Sequence, residues 1–257
     1  MSGVEQPADE PVDRVAPPLP RPAFMRQRWR DVAFVHWAVE PAEVAGLMPQ
    51  GVRPDIYEGH TYVGLVPFRV VDAGPPRGPA LPWAGRFLET NVRLYSVDRH
   101  GRRGVVFLSL DADRLPLVVG ARAGLALPYR WGRLRHSSRP VSGAEEHTYE
   151  TRLYHPGAWG AGRRVVVRPG EPVATSDLDA FLTARWRLHV AHLGQTWYVP
   201  VEHQPWPLQA AEVTAMEDQL LATVGLASLA AREPDHVAFS PGVDTLVGVP
   251  ARLRRRH

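Results

Sequence analysis

In LETNVRLY, residues 88–95, a carboxylate, an amide and a guanidinium stand at alternate positions: Glu89, Asn91 and Arg93, interleaved with Leu88, Thr90, Val92 and Leu94. Successive side chains of a β-strand point to opposite faces, so the three polar groups share one face. That face could aim an acid/base, a hydrogen-bonding amide and a cation into one cavity. It could equally face solvent, with Glu89 and Arg93 in a modest surface ion pair. A second stretch, GARAGLALPYR from Gly120 to Arg130, has the make-up of a pocket wall: small and apolar residues first, then Pro128, Tyr129 and Arg130 together. Arg122 or Arg130 could hold a carboxylate through paired N–H bonds. His36 in FVHW, Arg69 in PFRV, and His203 and Trp206 in EHQPWPLQ are further candidates. Each could equally be a satisfied core or rim residue, and together they gain weight only if the fold brings them to one place.

Composition narrows the chemistry. All 30 basic residues are arginine, and there is no cysteine. Disulfides, thiolate nucleophiles and cysteine-type zinc sites are therefore excluded. Glycine-rich GAWGAG has the wrong order for a dinucleotide fingerprint, and no Gly-x-Ser-x-Gly elbow is present. His189 and His192 form an HxxH that would pair two imidazoles if a helix reached that far, but no carboxylate stands nearby at ligand spacing, so no metal site is expected. No cofactor is expected either. The 30 basic residues face 27 acidic ones for a net charge of +3, too balanced for a nucleic-acid surface. The dense basic cluster at 252–257 reads as a solvated tail. The acidic, proline-rich start has no apolar run and reads as neither signal peptide nor membrane span, which implies a cytoplasmic protein with a disordered leader over residues 1–23.

The elements that must position these residues are mostly strands. DVAFVHWAV (31–39), TYVGLVPFRVV (61–71) and the hairpin pair LETNVRLYSV and GVVFLSLDAD have β-branched and apolar content; Pro67 marks an edge or a bulge. EEHTYETRLYH and RRVVVRPGEPV form another antiparallel pair, and QTWYVPVEHQPWPLQ and DTLVGVPARL are further strands. EPAEVAGLMP predicts a short helix. SDLDAFLTARWRL, 176–188, predicts a longer one capped by Ser176, and EVTAMEDQLLATVGL, 212–226, a third. Many short strands with few helices argue for a mainly β (α+β) chain: an antiparallel sheet that closes on itself with helices outside. One domain over residues 24–250, followed by a basic tail at 251–257, is the simplest division.

The run FVHWAV, MPQGVRPD, YVGLVPF, FLETNVRLY, GVVFLSLDAD, AR…LPY, HQPWPLQ and SPGVDT, in that order, resembles the YqjF-like family of uncharacterised proteins. The resemblance covers about Arg28 to Val249. That family resembles a branch of the acetoacetate decarboxylase superfamily, which implies a closed antiparallel β-barrel or cone around a ligand cavity. In true decarboxylases a lysine that follows a proline forms a Schiff base; the matching stretch here reads Pro128, Tyr129, Arg130. The resemblance also implies that Glu89 matches a catalytic glutamate. With no lysine in the chain, a side-chain Schiff base is excluded. The expectation is therefore a small-molecule enzyme of lyase, isomerase or cyclase type. It would act on a carbonyl-containing or carboxylate ligand with Glu89, Tyr129 and Asn91 as catalytic residues. Arg122, Arg130, Arg93, His36, Arg69, His203 and Trp206 would bind substrate. A noncatalytic binder of an apolar ligand, with Trp83, Trp131 and Trp206 on its cavity wall, is the alternative, and a structural module with a filled interior is a third. A homodimer through a strand edge or the loop around Trp83 is a further expectation.

Overall fold

The computed structural model describes residues 8–141 and 143–253. In chain order the elements are β1 (Ala23–Val39), α1 (Pro41–Ala45), β2 (Val52–Pro54), β3 (Thr61–Gly74), β4 (Phe87–Asp98), β5 (Arg103–Ala112), α2 (Leu115–Leu125) and β6 (Tyr129–Val141). They continue with β7 (Ala144–Leu153), β8 (Gly162–Pro172), α3 (Asp177–Thr183), β9 (Arg187–His192), β10 (Gln195–His203), β11 (Gln209–Asp218), β12 (His236–Gly248) and β13 (Ala251–Arg252). The chain is mainly β, as its alternating patterns imply.

The strands form one sheet that closes twice. The order runs β13-β10-β9-β5-β6-β7-β8-β11-β12-β1-β3-β4-β2, and two further pairings, β4 with β5 and β10 with β12, join its parts into rings. β12 keeps β1 on one edge, while its other edge pairs with β11 at Ala238 and Phe239 and with β10 at Thr245–Val247. β5 forks in the same way, meeting β6 at its C-terminal end and β9 at Val105, both in parallel. The five strands β12, β1, β3, β4 and β5 thus belong to two rings at once. One is closed by β9 and β10, the other by β6, β7, β8 and β11.

Period-2 alternation sorts the shared strands' side chains between the rings. Ala33, Val35 and Trp37 of β1, Val63 and Leu65 of β3, and Val92 and Leu94 of β4 pack with Tyr149, Val165, Val167 and Phe239 into a filled apolar core on one side. Val32, Phe34, Val66 and Phe68 face the other side, where the smaller ring leaves a cavity. Pro67 sits opposite the register shift of β1 between Arg30 and Val35, so its missing N–H falls where the ladder is already interrupted.

Four expectations are corrected. The 176–188 helix is short: α3 ends at Thr183, after which Arg187–His192 pairs with β10 as a strand. Residues 212–226 form no α-helix, only a single 3-10 turn at Ala222–Val224. Alternating exposure along Gln209–Asp218 lets that segment pair with β8, and the Asp218 carboxylate then turns the chain by accepting the Leu220 and Leu221 N–H groups. Residues 8–22 are not a free leader. The Glu10 N–H bonds Gly101 O at 2.8 Å, the Glu10 carboxylate holds Arg187 at 2.6 Å, and Asp13 O accepts from Trp186 Nε1 at 2.9 Å. Acidic leader groups find arginines along the ring's edge. At the other end Ala251–Arg252 pairs with β10 and Leu253 is buried, so the segment read as a solvated tail begins as a strand; residues 254–257 lie outside the described part.

Candidate active site

Seven strands of the smaller ring enclose a cavity of about 160 Å³. Its walls are chiefly aromatic and aliphatic: Trp29, Phe34, Phe68, Phe107, Leu110, Val199, Val201 and Trp206. The polar groups that reach it are few, and β4 supplies three of them. Glu89, Asn91 and Arg93 pair with Phe68, Val66 and Gly64 of β3, a register that points all three inward.

Glu89 is the chemical centre of this wall. Its carboxylate accepts the Tyr129 hydroxyl at 2.7 Å, from the first residue of β6. Burial raises its pKa from an ordinary 4.5 to about 7, opposed by hydrogen bonds from Tyr129 and Asn91 and assisted by the negative charge of Asp111. At neutral pH the group is therefore close to half protonated, the condition for a residue that must both take and return a proton. Burial and the Glu89 charge push the Tyr129 hydroxyl well above its ordinary range, so it remains a donor. Asn91 turns its amide N–H toward Glu89, while its Oδ1 is buried without a partner. Its amide N–H is thus engaged by Glu89, which leaves Oδ1 as the unpartnered polar atom of this side chain.

His203 and Trp206 also line the cavity. His203 Nδ1 donates to Gln204 O at 2.7 Å, which fixes Nε2 as the unprotonated nitrogen. Burial lowers its pKa to about 4, so the ring is neutral at physiological pH. Trp206 hangs from the segment after β10, stacks on Trp29 at 6.0 Å and donates from Nε1 to Thr183 O at 3.1 Å.

Four candidate binding residues lie elsewhere. Arg130 alternates away from Tyr129 and forms a two-pronged pair with Asp111 at 2.6 and 3.0 Å, behind the cavity wall. Arg122 is on α2, where its guanidinium donates to Tyr129 O at 2.8 Å. It secures the backbone of the site without entering it; of the expected pocket wall, Leu127 and Tyr129 line the cavity. Arg69 pairs with Asp31 beside the β1 bulge. His36 is fully buried one layer out, between Tyr95 and His236. The tryptophans divide too: Trp83 is exposed under Arg114, and Trp131 packs on Tyr154 away from the cavity. His189 and His192 share a strand instead of a helix, three positions apart on opposite faces, with His189 buried against Ser96.

Sequence reasoning missed Gln27, Arg185 and Arg187, which line the cavity. The last two fall in TARWRL, read as helix. The signal was the alternation of Arg185, Arg187 and His189, which continues from the turn after α3 into β9.

Comparison with known proteins places this geometry. A family model, DUF2071, described as an uncharacterized conserved protein, matches residues 26–244. The chain belongs to this DUF2071 family. It is 34% identical over 189 residues to the uncharacterized protein YqjF of Bacillus subtilis (strain 168), covering 74% of this chain and 76% of that protein. Among solved structures, an acetoacetate decarboxylase-like enzyme from Sphingomonas wittichii RW1 superposes with a TM-score of 0.64 at 12% identity, covering 92% of this chain and 95% of its own. The enduracididine biosynthesis enzyme MppR, complexed with the condensation product of pyruvate and imidazole 4-carboxaldehyde, gives 0.62 at 15% identity over 91% and 90% of the two chains. Acetoacetate decarboxylase from Legionella pneumophila gives 0.59 at 12% identity over 92% of both. The DUF2071 chain thus has the acetoacetate decarboxylase-like fold. Its cavity wall carries Tyr129 after Pro128, the position where the sequence resemblance put a Schiff-base lysine.

Proposed function

We propose that this DUF2071 protein is a small-molecule enzyme that moves protons next to a substrate carbonyl inside the ring cavity, without a covalent intermediate on a side chain. The observation that carries the reading is a buried Glu89 carboxyl with a pKa of about 7, hydrogen-bonded to Tyr129 on a cavity wall. Ionised Glu89 takes a proton from the carbon beside the carbonyl. As its charge is neutralised, its hold on the Tyr129 hydroxyl weakens, and that hydroxyl donates to the oxyanion developing on the substrate. Protonated Glu89 then returns its proton, either to a different carbon, which is isomerisation, or to a leaving hydroxyl, which is dehydration. Ring closure of the enolate on a second carbonyl fits the same groups. Asn91 Oδ1 accepts from a substrate hydroxyl. The aromatic walls exclude water, which strengthens each of these interactions.

The fold neighbours support an enzyme, MppR through its bound condensation product and the decarboxylases through their activity. The aromatic lining also suits a noncatalytic carrier. A thermal-shift screen of oxo acids, β-diketones and lactones, with mass spectrometry on every stabilising compound, separates the two. Conversion in wild type that falls at least 10²-fold in Glu89→Gln supports the enzyme. Stabilisation without conversion, equal in both proteins, replaces it with the carrier.

A further inference from the structure

The end of the cavity away from Glu89 is electrostatically incomplete. Among the described residues, three arginines line the cavity, Arg93, Arg185 and Arg187, against a single carboxylate, Glu89. Arg187 is paired with Glu10. Arg185 is paired with Asp55 at 2.5 Å, but Asp55 also holds Arg103, so one carboxylate serves two guanidinium groups. Arg93 has no carboxylate partner among the described residues. Its hydrogen-bond partners are neutral: Nε and Nη2 donate to the Tyr95 hydroxyl at 3.1 and 3.0 Å, and Nη2 also to Leu182 O at 2.9 Å. Glu89 does not neutralise it. The groups that act on Glu89 are Tyr129, Asn91 and Asp111, and four residues of extended strand put the Glu89 and Arg93 Cα atoms about 13 Å apart.

Arg93 and Arg185 are neighbours at this end. Their guanidinium carbons lie 5.4 and 5.0 Å from the same Tyr95 ring, and they cap consecutive carbonyls at the end of α3, Leu182 O for Arg93 and Phe181 O for Arg185. Arg185 Nη2 is buried with no hydrogen-bond partner. A buried donor left unmade costs free energy, and on a charged group the cost is larger. The Arg93 fork is also held in place from behind. Donors and acceptors close in one direction, from Arg93 to Tyr95, from Tyr95 to His36 Nε2 at 2.7 Å, from His36 to His236 at 2.9 Å, and from His236 to Asp179 at 2.8 Å. A guanidinium fixed by a buried chain of four side chains, without a counter-ion of its own, is a preorganised anion site.

Building on the reading of Glu89 as the reacting end, we propose that Arg93 and Arg185 bind a carboxylate at the opposite end of the substrate. The ligand is then an oxo acid whose carbonyl and carboxylate are separated by an apolar or aromatic spacer. The wall between the two ends carries Val66 and Leu110, the strand partners of Asn91, and Phe34 and Phe107 flank Arg93 itself, a lining that matches such a spacer; the cavity volume admits about ten non-hydrogen atoms.

Titrations of the full-length protein with 3-phenylpropanoate and its neutral analogue 3-phenylpropanamide, read by fluorescence of Trp29 and Trp206 and by calorimetry, test this. The acid binds at least tenfold tighter than the amide in wild type. That preference collapses to within about twofold in Arg93→Met and is largely kept in Arg93→Lys. Equal affinity for acid and amide in wild type, or an undiminished preference in Arg93→Met, overturns the proposal. The two readings fail separately. A protein that prefers acids but converts no carbonyl compound keeps the anion site and loses the Glu89 chemistry, whereas one that converts neutral ketones and shows no acid preference does the opposite.

Discussion

Burial lifts Glu89 to about 7 against two hydrogen bonds that pull the other way, so the ring's desolvation outweighs its donors at this residue. The raised value has a definite consequence for stability. The folded state holds the proton more tightly than the unfolded chain, so the contribution is fully present below about pH 4.5 and is lost as pH rises to about 7. The loss amounts to about 3 kcal/mol. Glu89→Gln has no such dependence. Urea midpoints of the two proteins will therefore diverge between pH 4.5 and 7 in favour of the variant, then run parallel above pH 7. Parallel curves throughout would mean that Glu89 is ionised in the folded protein and is not the acid/base group. This part of the site was legible in the sequence because Glu89, Asn91 and Arg93 obey a strand's two-residue period and need no tertiary information to share a face. Tyr129 was legible through its place after Pro128. The roles of Arg122, Arg130 and Arg69 were not, because an arginine's destination depends on where carboxylates such as Asp111 and Asp31 come to lie across the fold.

Among the elements, strands with strict alternation were readable, and the errors concentrated where a local pattern suited both states. EVTAMEDQLL carries good helix formers, yet its pairing with β8 prevails because the sheet there needs a strand to reach β12. Ser176 does cap α3, its hydroxyl accepting the Asp179 N–H at 3.0 Å, but the helix stops after two turns. Arg185 accounts for the stop. Its Nε bonds back to Phe181 O at 2.6 Å while its head reaches Asp55, beyond the end of β2. Asp55 thus ties β2, the start of β5 and the turn after α3 through Arg103 and Arg185, with its side chain almost wholly buried. Removing its charge leaves two guanidinium groups around a neutral amide. Asp55→Asn should cost about 3–5 kcal/mol, measured by denaturant unfolding. It should also loosen Arg185, so that 3-phenylpropanoate binds more weakly even under conditions where the variant is fully folded. A cost below about 1 kcal/mol would show that this carboxylate is not the pin joining the three elements.

At the scale of the whole molecule, the cavity exists because five strands serve two rings, and the rings separate at the forks in β12 and β5. Gly242 stands at the first fork, between Phe239, which pairs with β11, and Thr245, which pairs with β10. Its φ is +127°, a conformation that L side chains rarely adopt, and a Cβ there would overlap the carbonyl oxygen of Trp29. Trp29 is itself a cavity wall residue, stacked on Trp206 and donating from Nε1 to Gln27 at 2.7 Å. The glycine therefore couples the closure of the smaller ring to the shape of its interior: backbone strain at the fork must be relieved by moving β1 or β12, and either motion displaces Trp29. Gly242→Ala should destabilise the fold by about 3 kcal/mol through conformational strain and overpacking together. It should also shift the tryptophan emission of the folded protein and weaken both 3-phenylpropanoate and 3-phenylpropanamide by similar factors. That pattern differs from the selective loss of the acid in Arg93→Met, because the fork shapes the whole cavity and Arg93 completes one end of it. A variant that unfolds earlier yet binds both compounds as wild type does would show that the fork supports the ring without shaping the site.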